Sequence, residues 1–307
     1  MEKRFPQALL CTACVPWTED HQLDTALFRK EVKLLCEQGA GSIYLFGTAG
    51  EGYAVNREQY LQIVTEFMDE MKHFPNVIPM VGVISLSMTE ILERIRLAGE
   101  LGVRYFQISF PSWGSVSNEE AVGFLTDVCG AFPEYRFMHY NNALRSRKRL
   151  SPADYQALAE KIPNLVAVKF IGPSFDEIQT FAALDLPIRV FFLEYAYGYG
   201  SMTYPQFGYL ASITNCSYPV MNAYYQAGIR QDWQTIAGIH KDFPVVYDVL
   251  FSHCPGDKID SAYDKLFVGF SIPDFPARIL PPYSGCTQKQ AEAFRTRLRE
   301  KVPHWFA

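Results

Sequence analysis

Lys169 closes the run Leu165, Val166, Ala167, Val168, Lys169, Phe170 and so sets an amine at the end of a stretch apolar enough to be a buried strand. The other lysines sit among polar or helix-surface neighbours in the sequence, which singles this one out. Burial penalises an ammonium, so such a site favours the neutral amine, the nucleophile of Schiff-base chemistry. A lysine whose stem packs on the core while its head reaches solvent would fit the same run. Three further features bear on the choice. Tyr140, in His139, Tyr140, Asn141, Asn142, supplies a phenol, a proton donor if it lies beside the amine. The turn Gly47, Thr48, Ala49, Gly50, Glu51, Gly52 leads into a helix, and its backbone N–H groups with the Thr48 hydroxyl could hold a carboxylate or phosphate. No Gly-Lys-Ser/Thr follows, so it is not a nucleotide P-loop. Arg145 offers a planar fork that suits a carboxylate.

These residues lie on an alternation of short apolar runs and longer amphipathic stretches. The runs predicted as strands are 8–15, 42–46, 77–84, 105–109, 136–139, 165–170, 188–193 and 209–213. Between them the pattern predicts helices over 24–38, 57–71, 88–101, 118–129, 152–161 and 174–184. Strands alternating with helices at about 30 residues per unit imply parallel βα units, and eight of them suit a closed (β/α)8 TIM barrel over 1–218 better than an open doubly wound sheet. From 219 to 307 the pattern is helical only, with breaks near Cys254-Pro255-Gly256 and Pro281-Pro282, and reads as a C-terminal helical extension. In a barrel, catalytic groups gather where strands end. Tyr140 and Lys169 then fall at the ends of the fifth and sixth strands, neighbours roughly 5 Å apart that point into one cavity. His139 alternates to the other side of its strand and is expected to face the helix layer.

Composition sets the outer limits. With 307 residues, 49% of them hydrophobic, the chain can bury a large core. A net charge of -5, with no basic stripe beyond Arg145–Arg149, argues against a nucleic-acid partner. No run is long enough to span a bilayer, and Glu2, Lys3, Arg4 and Pro6 interrupt any early apolar stretch, so a cytoplasmic protein without membrane association is expected. Seven cysteines scattered through apolar segments read as reduced core residues rather than a disulfide framework. Cys11 and Cys14 form a CxxC, but within a predicted strand and without the second pair that a zinc site needs, so no metal is expected.

Taken in order, four motifs resemble the pyruvate-dependent class I aldolases that include dihydrodipicolinate synthase and N-acetylneuraminate lyase. They are Gly47-Thr48-Ala49-Gly50-Glu51, Tyr140-Asn141, Val166-Ala167-Val168-Lys169 and Ala211-Ser212-Ile213-Thr214-Asn215. The resemblance implies a (β/α)8 barrel with a C-terminal helical region, a homo-oligomer (dimer or tetramer) and no metal or organic cofactor. It implies that Lys169 forms an imine with pyruvate or another 2-oxo acid, and that Tyr140 shuttles protons. Thr48, with the backbone at Gly47 and Ala49, would grip the carboxylate, and Ala211 would line the site. Arg145, five residues after Tyr140, stands where the synthase branch engages its second substrate's carboxylate. The second substrate would be an aldehyde.

Three positions depart from the pattern. Ala49 stands where a second hydroxyl would be, and Trp113 stands where the synthase places a tyrosine from a neighbouring subunit. An indole donates a hydrogen bond but does not relay protons as a phenol does. Asn142-Ala143 also follows Tyr140-Asn141 without the usual proline. The aromatic run Glu194-Tyr195-Ala196-Tyr197-Gly198-Tyr199-Gly200 lacks the acidic pair of the sialate branch, which suggests a flatter or more apolar second substrate than a sugar acid. A deoxy sugar-acid dehydratase, a sialate-type lyase, and a noncatalytic 2-oxo-acid-binding barrel are the alternative readings.

Overall fold

Side-chain caps fix where several helices begin. Asn56 with Gln59, Ser117 with Glu120, Ser151 with Asp154 and Ser174 with Glu177 each form a reciprocal capping box, satisfying N–H groups that a helix leaves open. The structure, a computed structural model, describes residues 2–307. Its strands are β1 (Leu9–Thr12), β2 (Ser42–Leu45), β3 (Ile78–Gly82), β4 (Tyr105–Ile108), β5 (Arg136–Asn141), β6 (Leu165–Phe170), β7 (Arg189–Phe192) and β8 (Gly208–Leu210). The helices are α1 (Thr25–Glu37), α2 (Arg57–Met71), α3 (Met88–Glu100), α4 (Asn118–Gly130), α5 (Ala143–Ser146), α6 (Pro152–Lys161) and α7 (Phe175–Leu184). They continue as α8 (Glu194–Thr203), α9 (Tyr218–Arg230), α10 (Trp233–His240), α11 (Asp242–His253), α12 (Asp260–Val268) and α13 (Gln288–Lys301).

All eight strands pair in parallel in sequence order, and β8 pairs with β1, so the sheet closes into a TIM barrel. The strands bury both faces, which is why they read as near-continuous apolar runs. One face fills the barrel with Leu10, Tyr44, Met80, Met138, Ala167 and Phe191, above a plug formed by Phe5. The other packs Cys11, Ile43, Phe106, Val168 and Phe192 against the helix layer. This alternation sends Lys169 and Val168 to opposite sides.

Six of the predicted strands run long at their C-terminal ends, the sixth matches, and the fifth, predicted to end at 139, continues to Asn141. Residues 13–15 and 211–213 leave the sheet, the latter into a 3-10 turn, Ser212–Asn215, because these positions belong to loops over the barrel mouth. Helix α8 went unrecognised in the sequence because two glycines and three tyrosines weaken its propensity. Gly198 is required there by packing, since a Cβ would strike the Tyr224 hydroxyl of α9. Helix α9 follows β8 and packs on α8, so the boundary read at 218/219 falls at its start. Helices α10–α13 complete the C-terminal region. The expectation of seven free thiols needs correction: Cys254 and Cys286 form a disulfide, with Cα atoms 5.9 Å apart, leaving five free cysteines, all buried. Among the described residues no helix is long and apolar enough to cross a membrane, and no group of three His, Cys, Asp or Glu could hold a metal ion.

Candidate active site

The register of β5 on β6 sets Tyr140 directly opposite Lys169. Both are more than nine-tenths buried and line one cavity of about 260 Å³ at the mouth of the barrel. The Lys169 ammonium lies 4.6 Å from the centre of the Tyr140 ring and 5.8 Å from that of Tyr44, contacts that place a cation over aromatic faces. Among the described residues Lys169 makes no ion pair. The Tyr140 hydroxyl accepts a hydrogen bond from Asn142 Nδ2 at 3.1 Å and lies 3.5 Å from Thr48 Oγ1. A phenol, an amine and a threonine hydroxyl therefore share one wall.

The turn after β2 is built to hold Thr48 there. Phe46 and Glu51 bracket it with φ of +64° and +58°, a left-handed conformation that costs energy in a side-chain-bearing residue and persists only when held from outside. Glu51 supplies the hold. Its carboxylate accepts from Trp17 Nε1 at 2.8 Å and from the Leu280 backbone at 2.6 Å, and pairs with Lys265. A side chain at Gly47 would collide with the Tyr44 ring, so the backbone at 47–49 approaches the cavity closely. Gly47, Thr48 and Ala49 all line it.

Lys265 corrects the sequence reading that Lys169 alone is buried. It is 1% exposed against 8% for Lys169. Burial pulls its pKa down, and the carboxylate of Glu51 opposes that shift. Asp264 precedes Lys265, but Leu266, Phe267 and Val268 follow, and α12 is buried along most of its length. The two lysines differ in what they face: Lys265 is locked to Glu51, whereas Lys169 faces open volume.

The sequence reading missed the carboxyls of the cavity. Glu194 at the start of α8 and Asp260 and Asp264 on α12 line it together with Ser212 and Tyr247. Burial raises Glu194 to about 7, against its own backbone N–H, the Lys169 charge and the Tyr247 hydroxyl. Burial also raises Asp264 to about 8, helped by the Asp260 charge and opposed by the Ser212 hydroxyl, which hydrogen-bonds to it, and by Lys169. Most of the aromatic run after β7 lies outside the cavity. Tyr195 and Tyr199 are exposed and pack on His240, Tyr197 is buried among tyrosines of α9, and of that run Glu194 alone reaches the cavity, beside Leu193. The cavity wall thus carries three carboxyls beside its apolar residues.

Other sequence candidates fall around this centre. Arg145 donates to Asp260 Oδ1 at 3.0 Å, so its charge is already engaged by a cavity carboxylate. Ala211 is buried in the outer core and the next residues, Ser212 and Ile213, line the cavity instead. Trp113 is 85% exposed, outside the cavity wall. His139 lies in the helix layer as expected, its Nδ1 2.6 Å from the Tyr155 hydroxyl and its ring against Phe110.

Residues 6–253 match the Dihydrodipicolinate synthetase family. The chain belongs to that family. It is 27% identical over 168 residues to the N-acetylneuraminate lyase of Gallus gallus, covering 53% of this chain and 54% of the relative. It is 25% identical over 148 residues to the 4-hydroxy-tetrahydrodipicolinate synthase of Thermus thermophilus, covering 48% and 49% respectively. These alignments span about half the length of the curated relatives. The fold extends further: a solved structure of Proteus mirabilis N-acetylneuraminate lyase aligns over 96% of this chain and 99% of its own, with a TM-score of 0.82 at 18% identity.

Proposed function

We propose that this protein is a lyase of the class I aldolase type, in which Lys169 forms an imine with pyruvate or another small 2-oxo acid. The observation that carries this is the register pair Tyr140 and Lys169 in one cavity at the barrel mouth, with the amine in no ion pair among the described residues. The substrate carboxylate would sit on the backbone N–H groups of the 47–49 turn with Thr48 Oγ1. The amine attacks the keto carbon, Tyr140 passes protons during loss of water from the carbinolamine, and the resulting iminium accepts electrons from the adjacent carbon. The enamine so formed adds to an aldehyde, or arises from retro-aldol cleavage of the adduct. No organic cofactor or metal takes part in this scheme.

The second substrate is polar in this reading, because Glu194, Asp260 and Asp264 face it and Arg145 is engaged by Asp260. The same carboxyls, raised towards neutrality, favour a second reading in which a protonated acid expels a hydroxyl from a deoxy sugar acid as water. Incubation with single 2-oxo acids and borohydride, followed by intact mass, tests the shared first step. The expected result is one reduced adduct per chain with pyruvate. No adduct with any of a graded series of 2-oxo acids would refute the imine. Product analysis then separates carbon–carbon cleavage from loss of water.

A further inference from the structure

Nearly every hydroxyl on the cavity wall already has a partner. Tyr140 accepts from Asn142, and its hydroxyl lies 3.5 Å from that of Thr48. Tyr44 donates to Gln107 and Ser212 to Asp264. Tyr263 donates to the Gly256 carbonyl at 2.5 Å, and Tyr247 meets Glu194. Thr12 is the exception. It lines the same cavity, is 3% exposed, and among the described residues its hydroxyl has no hydrogen-bond partner. Strand β1 sends it inward: Leu10 fills the barrel and Cys11 faces the helix layer, so period-2 alternation turns Thr12 back inside. The backbone there is held, because Asn215 Nδ2 donates to the Thr12 carbonyl at 3.0 Å and the Ala13 N–H to the Tyr44 carbonyl at 2.9 Å. A buried hydroxyl without a partner carries a desolvation cost that a bound acceptor relieves.

We propose, resting on the imine reading, that Thr12 is a substrate-binding residue whose hydroxyl donates to the carboxylate of the 2-oxo acid held on Lys169. Strand register places it. Thr12 pairs directly with Tyr44 on β2, and the turn that follows β2 brings Gly47, Thr48 and Ala49 to the same cavity. The Lys169 ammonium lies 5.8 Å from the centre of the Tyr44 ring, so the strand pair that carries Thr12 flanks the point where the imine forms. Within the turn, Ala49 has no hydroxyl, and the Thr48 hydroxyl is shared with Tyr140. Thr12 supplies a second hydroxyl from β1 instead. A carboxylate is the strongest acceptor that a 2-oxo acid offers, since hydrogen bonds to an ionised oxygen are shorter and stronger than those to a neutral carbonyl. A threonine hydroxyl gives one such bond and carries no charge, so it grips the carboxylate without altering the charge of the cavity.

The test uses the whole chain and pyruvate alone. Samples mixed with pyruvate over a range of concentrations are quenched with borohydride at timed intervals, and intact mass gives the fraction of chain carrying the adduct. Thr12→Val keeps the shape of the side chain and removes the hydroxyl, whereas Thr12→Ser keeps the hydroxyl. The expected result for Thr12→Val is a half-saturating pyruvate concentration raised by about 10-fold, the size of one lost hydrogen bond to a charged group. The saturated rate of adduct formation should stay close to that of wild type, the pattern of a contact made equally before and during the reaction. Thr12→Ser should resemble wild type in both. Without pyruvate, Thr12→Val should melt at the wild-type temperature or above it, because the hydroxyl it removes leaves no partner unsatisfied. With adduct present in wild type, an unchanged half-saturation in Thr12→Val overturns the role of Thr12 alone. A loss confined to the saturated rate does so too, since it would put the hydroxyl on the departing oxygen rather than on the carboxylate. A melting temperature lowered by several degrees would show that the hydroxyl serves the fold, and would also overturn it. Absence of adduct in the wild-type chain overturns the imine reading, and this proposal with it.

Discussion

At the scale of single residues, the molecule holds several ionisable groups out of water, and the pH dependence of its stability follows. Glu31 is the simplest case, buried beside Cys14 and remote from the proposed chemistry. Its carboxylate accepts from the Cys14 backbone at 3.0 Å, yet burial raises it to about 8, with the Cys14 N–H and Lys265 opposing. A carboxyl raised on folding is protonated in the native chain while the unfolded chain has already lost its proton. The native state then binds more protons, so stability falls as pH rises from about 4.5, the ordinary value, to about 8. Glu31→Gln should therefore show a shallower loss of melting temperature across that window than wild type, and an unchanged slope would contradict the burial of this charge. Residues of this kind mark the limit of sequence reading. Lys169 and Tyr140 could be read because each ends a strand, where period-2 alternation decides which side chain enters the cavity. Asp264, Glu194 and Lys265 could not, because each lies at the start of, or within, a helix whose burial depends on elements brought together from afar.

At the scale of elements, the barrel strands and capped helices were readable because each carries its own periodicity and stop signals. Helix α8 was not, and the reason is physical: its glycines serve packing at the expense of helix propensity. Gly198 lies against Tyr224, whereas Gly238 in α10 has no neighbouring atom where a Cβ would be. Alanine gains up to about 1 kcal/mol over glycine from helix propensity at either position. At Gly198 overpacking costs about 1–3 kcal/mol, enough to reverse that gain. Gly198→Ala should lower the melting temperature by a few degrees, and Gly238→Ala should leave it equal or higher. The same sign for both would show that α8 does not rest on Tyr224 as described. Because α8 begins at Glu194, a loss of packing there also moves a carboxyl of the site.

At the scale of the whole molecule, the C-terminal region is part of the site rather than an appendage. Helix α12 brings Asp260 and Asp264 to the barrel mouth and Lys265 to Glu51, which pins the 47–51 turn. The Cys254–Cys286 disulfide closes a 32-residue separation around α12. By loop-closure entropy such a link contributes about 3–4 kcal/mol. Replacing both cysteines with alanine should lower the unfolding temperature and make it insensitive to reductant, and unchanged stability would show that α12 is held without the link. These cysteines look like separate thiols in the sequence because pairing across a helix leaves no local pattern. Among the described residues two lysines are buried, Lys169 on the cavity wall and Lys265 against Glu51 behind it, and the chemistry turns on which one reacts. Peptide mapping of the borohydride-reduced pyruvate adduct decides it. The account predicts that the reduced pyruvyl group lies on Lys169, that Lys265 is unmodified, and that Lys169→Ala abolishes the adduct in a folded chain. An adduct on Lys265, or one that survives Lys169→Ala, would contradict it.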